Sequence, residues 1–273
     1  MGDTLLLNLR QIAGTDLQVS PIGLGTVKIG RDKGVKYPDH FMIPDDQQVL
    51  HLLALSQELG INLLDTAPAY GHSEERLGRL LKGQRNQWLI CSKVGEEFDP
   101  QTGLSHFNFT PEHIRFSVER SLRRLNTDVI DILLVHSDGN DLKRIHHDGV
   151  LQQLAQLKTE GKIRAGGMST KTIEGGIETL KQSDIAMVTY NLNEQQESPV
   201  IDYALAQQKG IFIKKALASG HITQALTTDP VRASFDLVLG HPGVSSAIIG
   251  TINPDHLRSN VHAAADCLTR SDS

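Results

Sequence analysis

Cysteine is scarce in this chain, with only Cys91 and Cys267 among 273 residues. That excludes a disulfide framework and points to a reducing compartment. An excess of one charge is also missing. Lys and Arg number 27 against 32 Asp and Glu, a net charge of −5, so nothing electrostatic calls for nucleic acid or an anionic membrane. No apolar stretch is long enough to span a bilayer. The TLLLNL run near the N-terminus is too short for a signal-peptide core and has no basic preamble. A soluble, cytoplasmic protein is expected, and its oligomeric state is left open. A GxGxxG turn is absent as well: Gly23-Leu24-Gly25 is followed by neither a third glycine nor an immediate helix. This argues against the dinucleotide crevice of a doubly wound sheet.

What the chain does have is alternation. SPIGLG, INLLDT, WLICSK, IDILLVH, IRAGGMS, IAMVTYN, IFIKKAL and SAIIGT read as short strands. Between and after them lie helical patterns, from DDQQVLHLLALSQEL to NPDHLRSNVHAAAD. Thr110 before Pro111 and Asn253 before Pro254 open helices, while Gly60, Gly83, Gly161 and Gly210 are expected to close them. Eight strand signals alternating with eight helix signals predict an α/β fold, a closed parallel (β/α)8 TIM barrel. It is read as one domain over 1–273, with the barrel at about 20–265. The segment NLRQIAGTDLQV predicts a hairpin, about 4–19, that caps the barrel floor.

Three of the apolar runs deliver polar residues at or just past their ends: Asp65 and Tyr70 in INLLDTAPAYG, Lys93 in WLICSKVG and His136 in IDILLVHSDG. In a parallel barrel the C-terminal strand ends converge on one face, where chemistry is found. An Asp65–Lys93 ion pair would hold a cation near Tyr70 and lower the phenol's pKa from roughly 10, making it a usable acid. His136 would donate a hydrogen bond to a substrate oxygen as negative charge grows there. The set suits carbonyl reduction, with hydride from a nicotinamide cofactor because no side chain donates hydride. Singly, each residue has a plain structural reading as a turn cap, a solvated side chain or rim packing; all four together are much less readily coincidence. Cys91 shares strand parity with Lys93 and is expected to point into the barrel. The adjacent His146-His147 pair points apart and lacks a third ligand, so no metal site is expected.

The segments DTAPAYGHSEERLG, SKVG, SLRRLNTDVIDILLVH and IIGTINPDHLRSN resemble those of the aldo-keto reductase superfamily, over a stretch from Pro21 to about Ala264. The resemblance implies a barrel that binds an extended nicotinamide dinucleotide without a Rossmann fold. It makes Tyr70 the general acid, Lys93 its tuner, Asp65 the lysine's partner and His136 the carbonyl-orienting donor. It implies reduction of aldehydes or ketones as the activity. One alternative is an NAD(P)-linked sugar or alcohol dehydrogenase running the reverse reaction. Another, of a different class, is a cofactor-sensing regulatory subunit.

For the cofactor, the resemblance points to Gly25 and Thr26 after the first strand and to Ser169 and Thr170 after the fifth. Met187 falls where a Gln is usual, and Lys214 where an aromatic often lies under the nicotinamide. Met187 packs against the ring or is plain core; Lys214 and Lys215 are candidates for the pyrophosphate. Leu217, Ser219 and Gly220 follow. The adenosine end maps to Gly250, Thr251, Ile252, Asn253, His256 and Asn260. With His256 in place of a fixed cation, NADPH is expected somewhat ahead of NADH, with relaxed specificity. The irregular GEEFDPQTGLSHFNFT stretch contributes Phe98, Phe107 and Phe109 as pocket walls or loop anchors. Tyr37, Phe41 and Met42 are expected to close one side, and the short segment after the last helix suggests an open site.

Overall fold

The computed structural model describes residues 7–35, 37, 40–220 and 229–271. A short hairpin comes first, β1 (Arg10–Gln11) and β2 (Gln18–Val19), followed by β3 (Ile22–Gly25), α1 (Val27–Gly30) and α2 (Asp46–Glu58). Next are β4 (Leu63–Asp65), α3 (Ser73–Leu80), β5 (Leu89–Val94) and a second hairpin, β6 (Glu96–Phe98) and β7 (Ser105–Phe107). Then come α4 (Pro111–Leu125), β8 (Ile130–His136), α5 (Asp141–His146), α6 (Val150–Thr159), β9 (Ile163–Ser169) and α7 (Ile173–Gln182). The last elements are β10 (Ile185–Thr189), α8 (Ser198–Ala206), β11 (Gly210–Lys214), α9 (Pro230–Leu239), β12 (Ser246–Ile249) and α10 (Pro254–Ser271). Strands β3, β4, β5, β8, β9, β10, β11 and β12 pair in that order, all in parallel, and β12 closes on β3. This is the expected (β/α)8 barrel.

Side-chain alternation along each strand divides the apolar residues into two cores. Leu63, Cys91, Ile132, Leu134, Ala165, Ile185, Met187 and Phe212 fill the barrel, and Ile12, Leu17 and Val19 of the first hairpin seal its floor. Cys91 therefore points inward, as its parity with Lys93 required. The neighbours of opposite parity, such as Leu64, Ile90, Leu133 and Val135, pack outward against the helices. The hairpin extends the expectation to space, although residues 4–6 of the predicted span lie outside the described residues. Among the described residues, no helix is long and apolar enough to cross a membrane.

Capping follows the sequence. Thr110 Oγ1 accepts from the His113 N–H at 3.3 Å, and Asn253 Oδ1 accepts from the Asp255 N–H at 2.8 Å. Two local readings fail. Gly210 does not close α8, which ends at Ala206; Gln208 takes the left-handed turn at φ 53°. Gly210 instead opens β11, because barrel register pairs it with Ile185. The stretch after Lys93 is not irregular either, since β6 and β7 pair antiparallel with Glu96 opposite Phe107.

That second hairpin positions the site. Gly95 has φ 104°, and a Cβ there would lie 2.4 Å from the Phe109 ring, so the chain turns sharply over a buried aromatic. Alternation then sends Glu97 one way and Glu96 and Phe98 the other. Glu97 is tied to α4 by Arg120 at 2.6 Å and His113 at 3.1 Å, which leaves Glu96 facing the barrel mouth.

Candidate active site

The four predicted polar residues converge. Lys93, fully enclosed, donates to Asp65 Oδ1 at 2.6 Å and to the Thr66 carbonyl at 2.9 Å. Its Nζ lies 4.7 Å from the centre of the Tyr70 ring. The Tyr70 hydroxyl is 3.5 Å from the other Asp65 oxygen, and the Tyr70 and His136 rings meet edge to face at 6.3 Å. Tyr70 owes its place to a single 3-10 turn, Pro68–Tyr70, after β4. The turn is pressed against α1: a Cβ on Gly30 would lie 2.2 Å from the Tyr70 carbonyl oxygen, so only glycine permits the approach.

Electrostatics correct one expectation. Burial pushes the Tyr70 phenol above its usual pKa; Lys93 pulls it down, Asp65 pushes it up, and burial prevails. The phenol is thus held protonated rather than made acidic outright. Lys93 goes the other way: burial works against its charge, but Asp65 and Tyr70 outweigh burial and keep the ammonium firmly protonated. For His136, burial lowers the pKa more than Glu96 raises it, and Lys93 and Lys214 add to the lowering. The balance favours the neutral imidazole.

Glu96 was not foreseen. Its Oε2 lies 2.8 Å from His136 Nδ1, too far to one side of the N–H direction for a hydrogen bond, and that buried nitrogen has no hydrogen-bond partner. Burial favours the protonated Glu96, but His136, Ser105 and Arg31 overcome it and bring the pKa to about 2. Arg31 stacks its guanidinium 3.8 Å over the Phe98 ring and donates to the Ala69 carbonyl at 2.9 Å. Phe109 is the buried anchor of this hairpin, with Phe107 stacked on it at 6.0 Å. The sequence signal for Glu96 was an acidic residue just three positions past Lys93.

A cleft of about 690 Å³ opens beside the tetrad, in the range of ligand-binding sites. Asp65 and Tyr70 line it, as do Gly25, Lys214, Lys215, Leu217, Ser219, Gly220, Gly250, Thr251, His256 and Asn260. Other predicted residues sit behind it. Thr26 donates from its hydroxyl to the Asp65 carbonyl at 2.9 Å. Ser169 Oγ and the Thr170 carbonyl accept from Lys214 Nζ at 3.0 and 2.5 Å, while Thr170 Oγ1 is buried with no partner. Asn253 caps α10. Met187 does not line the cleft: it shares parity with Ile185 and is 2% exposed inside the barrel, so of its two readings plain core is the one observed.

Two wall residues complete the picture. Lys28, which the sequence reading passed over, holds its ammonium 4.1 Å over the Tyr37 ring. Tyr37 lines the cleft and meets Phe41 edge-on at 5.8 Å, whereas Met42 is solvent-exposed. Among the described residues the charged walls are Lys28, Lys214 and Lys215, the last 3.8 Å from Glu194, against Asp65, already neutralised by Lys93. A net-cationic cleft with glycines at Gly25 and Gly250 fits a dinucleotide's pyrophosphate.

Known proteins bear on this arrangement. The profile of the aldo/keto reductase family matches residues 21–237. The chain belongs to this family. Members of the aldo/keto reductase family are oxidoreductases that use nicotinamide cofactors on carbonyl and sugar substrates. A solved structure from Pseudomonas aeruginosa, PA4992, assigned to the aldo-keto reductases, is 57% identical, with a TM-score of 0.88 over 97% of this chain and 98% of that one. The aldo-keto reductase YhdN of Bacillus subtilis is 31% identical, covering 83% of this chain and 67% of its own. The NADH-specific methylglyoxal reductase of Escherichia coli is also 31% identical, over 80% of this chain and 69% of its own.

Proposed function

We propose that this protein reduces aldehyde or ketone carbonyls to alcohols with a nicotinamide dinucleotide, Tyr70 acting as the general acid. The observation that carries the reading is the enclosed Lys93 ammonium, locked by Asp65 and the Thr66 carbonyl and 4.7 Å from the Tyr70 ring. A phenol kept protonated by burial is loaded with the proton that the substrate oxygen needs. As that proton leaves, Lys93 stabilises the phenolate in a low-dielectric setting where a fixed charge acts strongly. Asp65 holds the ammonium in place. Bound in the cleft, the cofactor supplies hydride. Lys214 and Lys215 would face its pyrophosphate, with Ser169 and Thr170 steering Lys214; Gly250, Thr251, His256 and Asn260 would receive its adenosine end. The wall of the cleft contributes His256 rather than a fixed cation there, which weakens selection for a 2′-phosphate, so NADPH is expected only somewhat ahead of NADH.

The same groups catalyse the reverse reaction by microscopic reversibility. A sugar or alcohol dehydrogenase is the second reading, favoured by the match to D-arabinose 1-dehydrogenase of Saccharomyces cerevisiae, 32% identical over 57% of this chain and 44% of its own. Tyr70→Phe tests the proposal. It should lose roughly 100-fold or more of turnover while the affinities for NADPH and NADH, followed by nicotinamide emission, stay unchanged. Full activity in the variant removes Tyr70 from the acid role. Tight dinucleotide binding without turnover in the wild type would favour a cofactor-sensing subunit instead.

A further inference from the structure

A single peptide group joins two opposite charges beside the cleft. The carbonyl of the Thr170–Lys171 peptide accepts from the Lys214 ammonium at 2.5 Å. The N–H of the same peptide donates to Asp141 Oδ2 at 2.8 Å. Asp141 is 1% exposed and starts α5, behind the residues that line the cleft. Its Oδ2 also accepts from the Thr172 N–H and hydroxyl, both at 2.8 Å, and its Oδ1 accepts from the Ser137 hydroxyl. The carboxylate thus ties the loop after β8 to the loop after β9. Glycine at 175 permits the approach, since a Cβ there would lie 2.2 Å from the Asp141 Cβ.

We propose that Asp141 is a positioning residue for dinucleotide binding: through the Thr170–Lys171 peptide it anchors Lys214 with its ammonium in the cleft. The binding half rests on the dinucleotide reading given above; the anchoring half rests on the hydrogen bonds. A peptide dipole with its oxygen on a cation and its N–H on an anion is favoured at both ends, and each bond polarises the other. Among the described residues, the other hydrogen bond of Lys214 goes to Ser169 Oγ at 3.0 Å. Both of its acceptors are therefore neutral, and the one tied to a carboxylate is the peptide carbonyl. Without Asp141 the peptide loses the bond that fixes its plane, and the carbonyl loses its aim.

Other charges face the same ammonium. Glu197 and Asp141 favour the charged lysine, Lys171 and Lys215 oppose it, and His136 lies within its field. Glu197 accepts from the Thr189 N–H at 2.8 Å, one strand away. Of the two carboxylates, Asp141 is the one joined to Lys214 through a hydrogen-bonded peptide.

Dinucleotide titration by nicotinamide emission at about pH 6.5, where Lys214 stays charged, separates position from charge. Asp141→Ala should weaken NADPH and NADH binding by about 3- to 10-fold, the worth of one hydrogen bond. Combined with Lys214→Met, the same substitution should cost nothing more, because the cycle isolates what passes through Lys214. Asp141→Asn keeps an acceptor for the peptide and should bind as wild type does at this pH. Having lost the charge, it should weaken at a lower pH than wild type. A loss that persists alongside Lys214→Met, or an inflection unmoved in Asp141→Asn, overturns the proposal. So does an equal loss in Thr172→Ala, which loosens the same loop but leaves the Lys171 N–H on Asp141. Should Asp141→Ala fail to fold, the inflection in Asp141→Asn decides. Carbon–proton relaxation of labelled lysines in the free protein reads the anchor without any dinucleotide. The Lys214 Cε methylene should be rigid in wild type and mobile in Asp141→Ala; equal mobility refutes the anchor. If neither dinucleotide binds the wild type, the cleft reading falls with the binding half, while relaxation still decides the anchor.

Discussion

Replacing Lys93 with Met isolates the charge on which the site depends. The ammonium lies 4.7 Å from the Tyr70 ring centre. At an effective dielectric constant near 20, that distance corresponds to about 3.5 kcal/mol of attraction for a full phenolate. If roughly half of the charge has developed in the transition state, the loss is about 20-fold in kcat/KM; if nearly all has, it approaches about 400-fold. These are lower bounds, because Asp65, 3.5 Å from the phenol oxygen, would then oppose phenolate without a counter-charge. The substitution also abandons a buried carboxylate, at a cost of about 3–5 kcal/mol in stability. Urea denaturation measures that cost, and dinucleotide titration confirms that the cleft persists. The double variant Asp65→Leu/Lys93→Met separates the two effects, since it should regain stability and remain inactive. A single variant within about 3-fold of wild-type kcat/KM, or a double variant that recovers activity, would refute the role given to Lys93.

Other consequences are open to simpler assays. Gly30→Ala places a methyl group 2.2 Å from the Tyr70 carbonyl oxygen; it should destabilise the fold by about 1–3 kcal/mol in thermal unfolding and depress turnover more than dinucleotide affinity. Burial lowers the Lys214 pKa to about 8 despite Glu197 and Asp141, so its positive charge is present below that pH and fades above it. Dinucleotide affinity, measured by titration across pH 7 to 9.5, should therefore weaken as pH rises through about 8. Lys214→Met should bind roughly 10-fold or more weakly at pH 7 and show no such inflection; an inflection that survives would assign it to another group.

Much of this could be read before any coordinates. The barrel was legible because apolar runs of strand length alternate with helical periodicity, and a parallel sheet with eight such units closes on itself. Asp65, Lys93 and His136 stood out because a polar side chain interrupts each run near its C-terminal end, and Tyr70 because it follows Asp65 in the next turn. Met187 was harder to place. Its position matched a cofactor contact, but the barrel wall decides between interior and cleft, and parity with Ile185 carried it inward.

The sequence by itself determined the topology, the convergence of four polar groups and the kind of ligand the cleft suits, because periodicity and strand-end position are local properties of the chain. Tertiary structure alone decided the protonation states and brought Glu96 to His136. Burial, which sets the balance of charges at Tyr70 and His136, has no value until the barrel and its loops are packed. The turn that aims Glu96 depends on Glu97 gripping helix α4 at Arg120 and His113 and on Gly95 bending over Phe109. The grip joins residues 16 to 23 positions apart, beyond the reach of any short-range pattern.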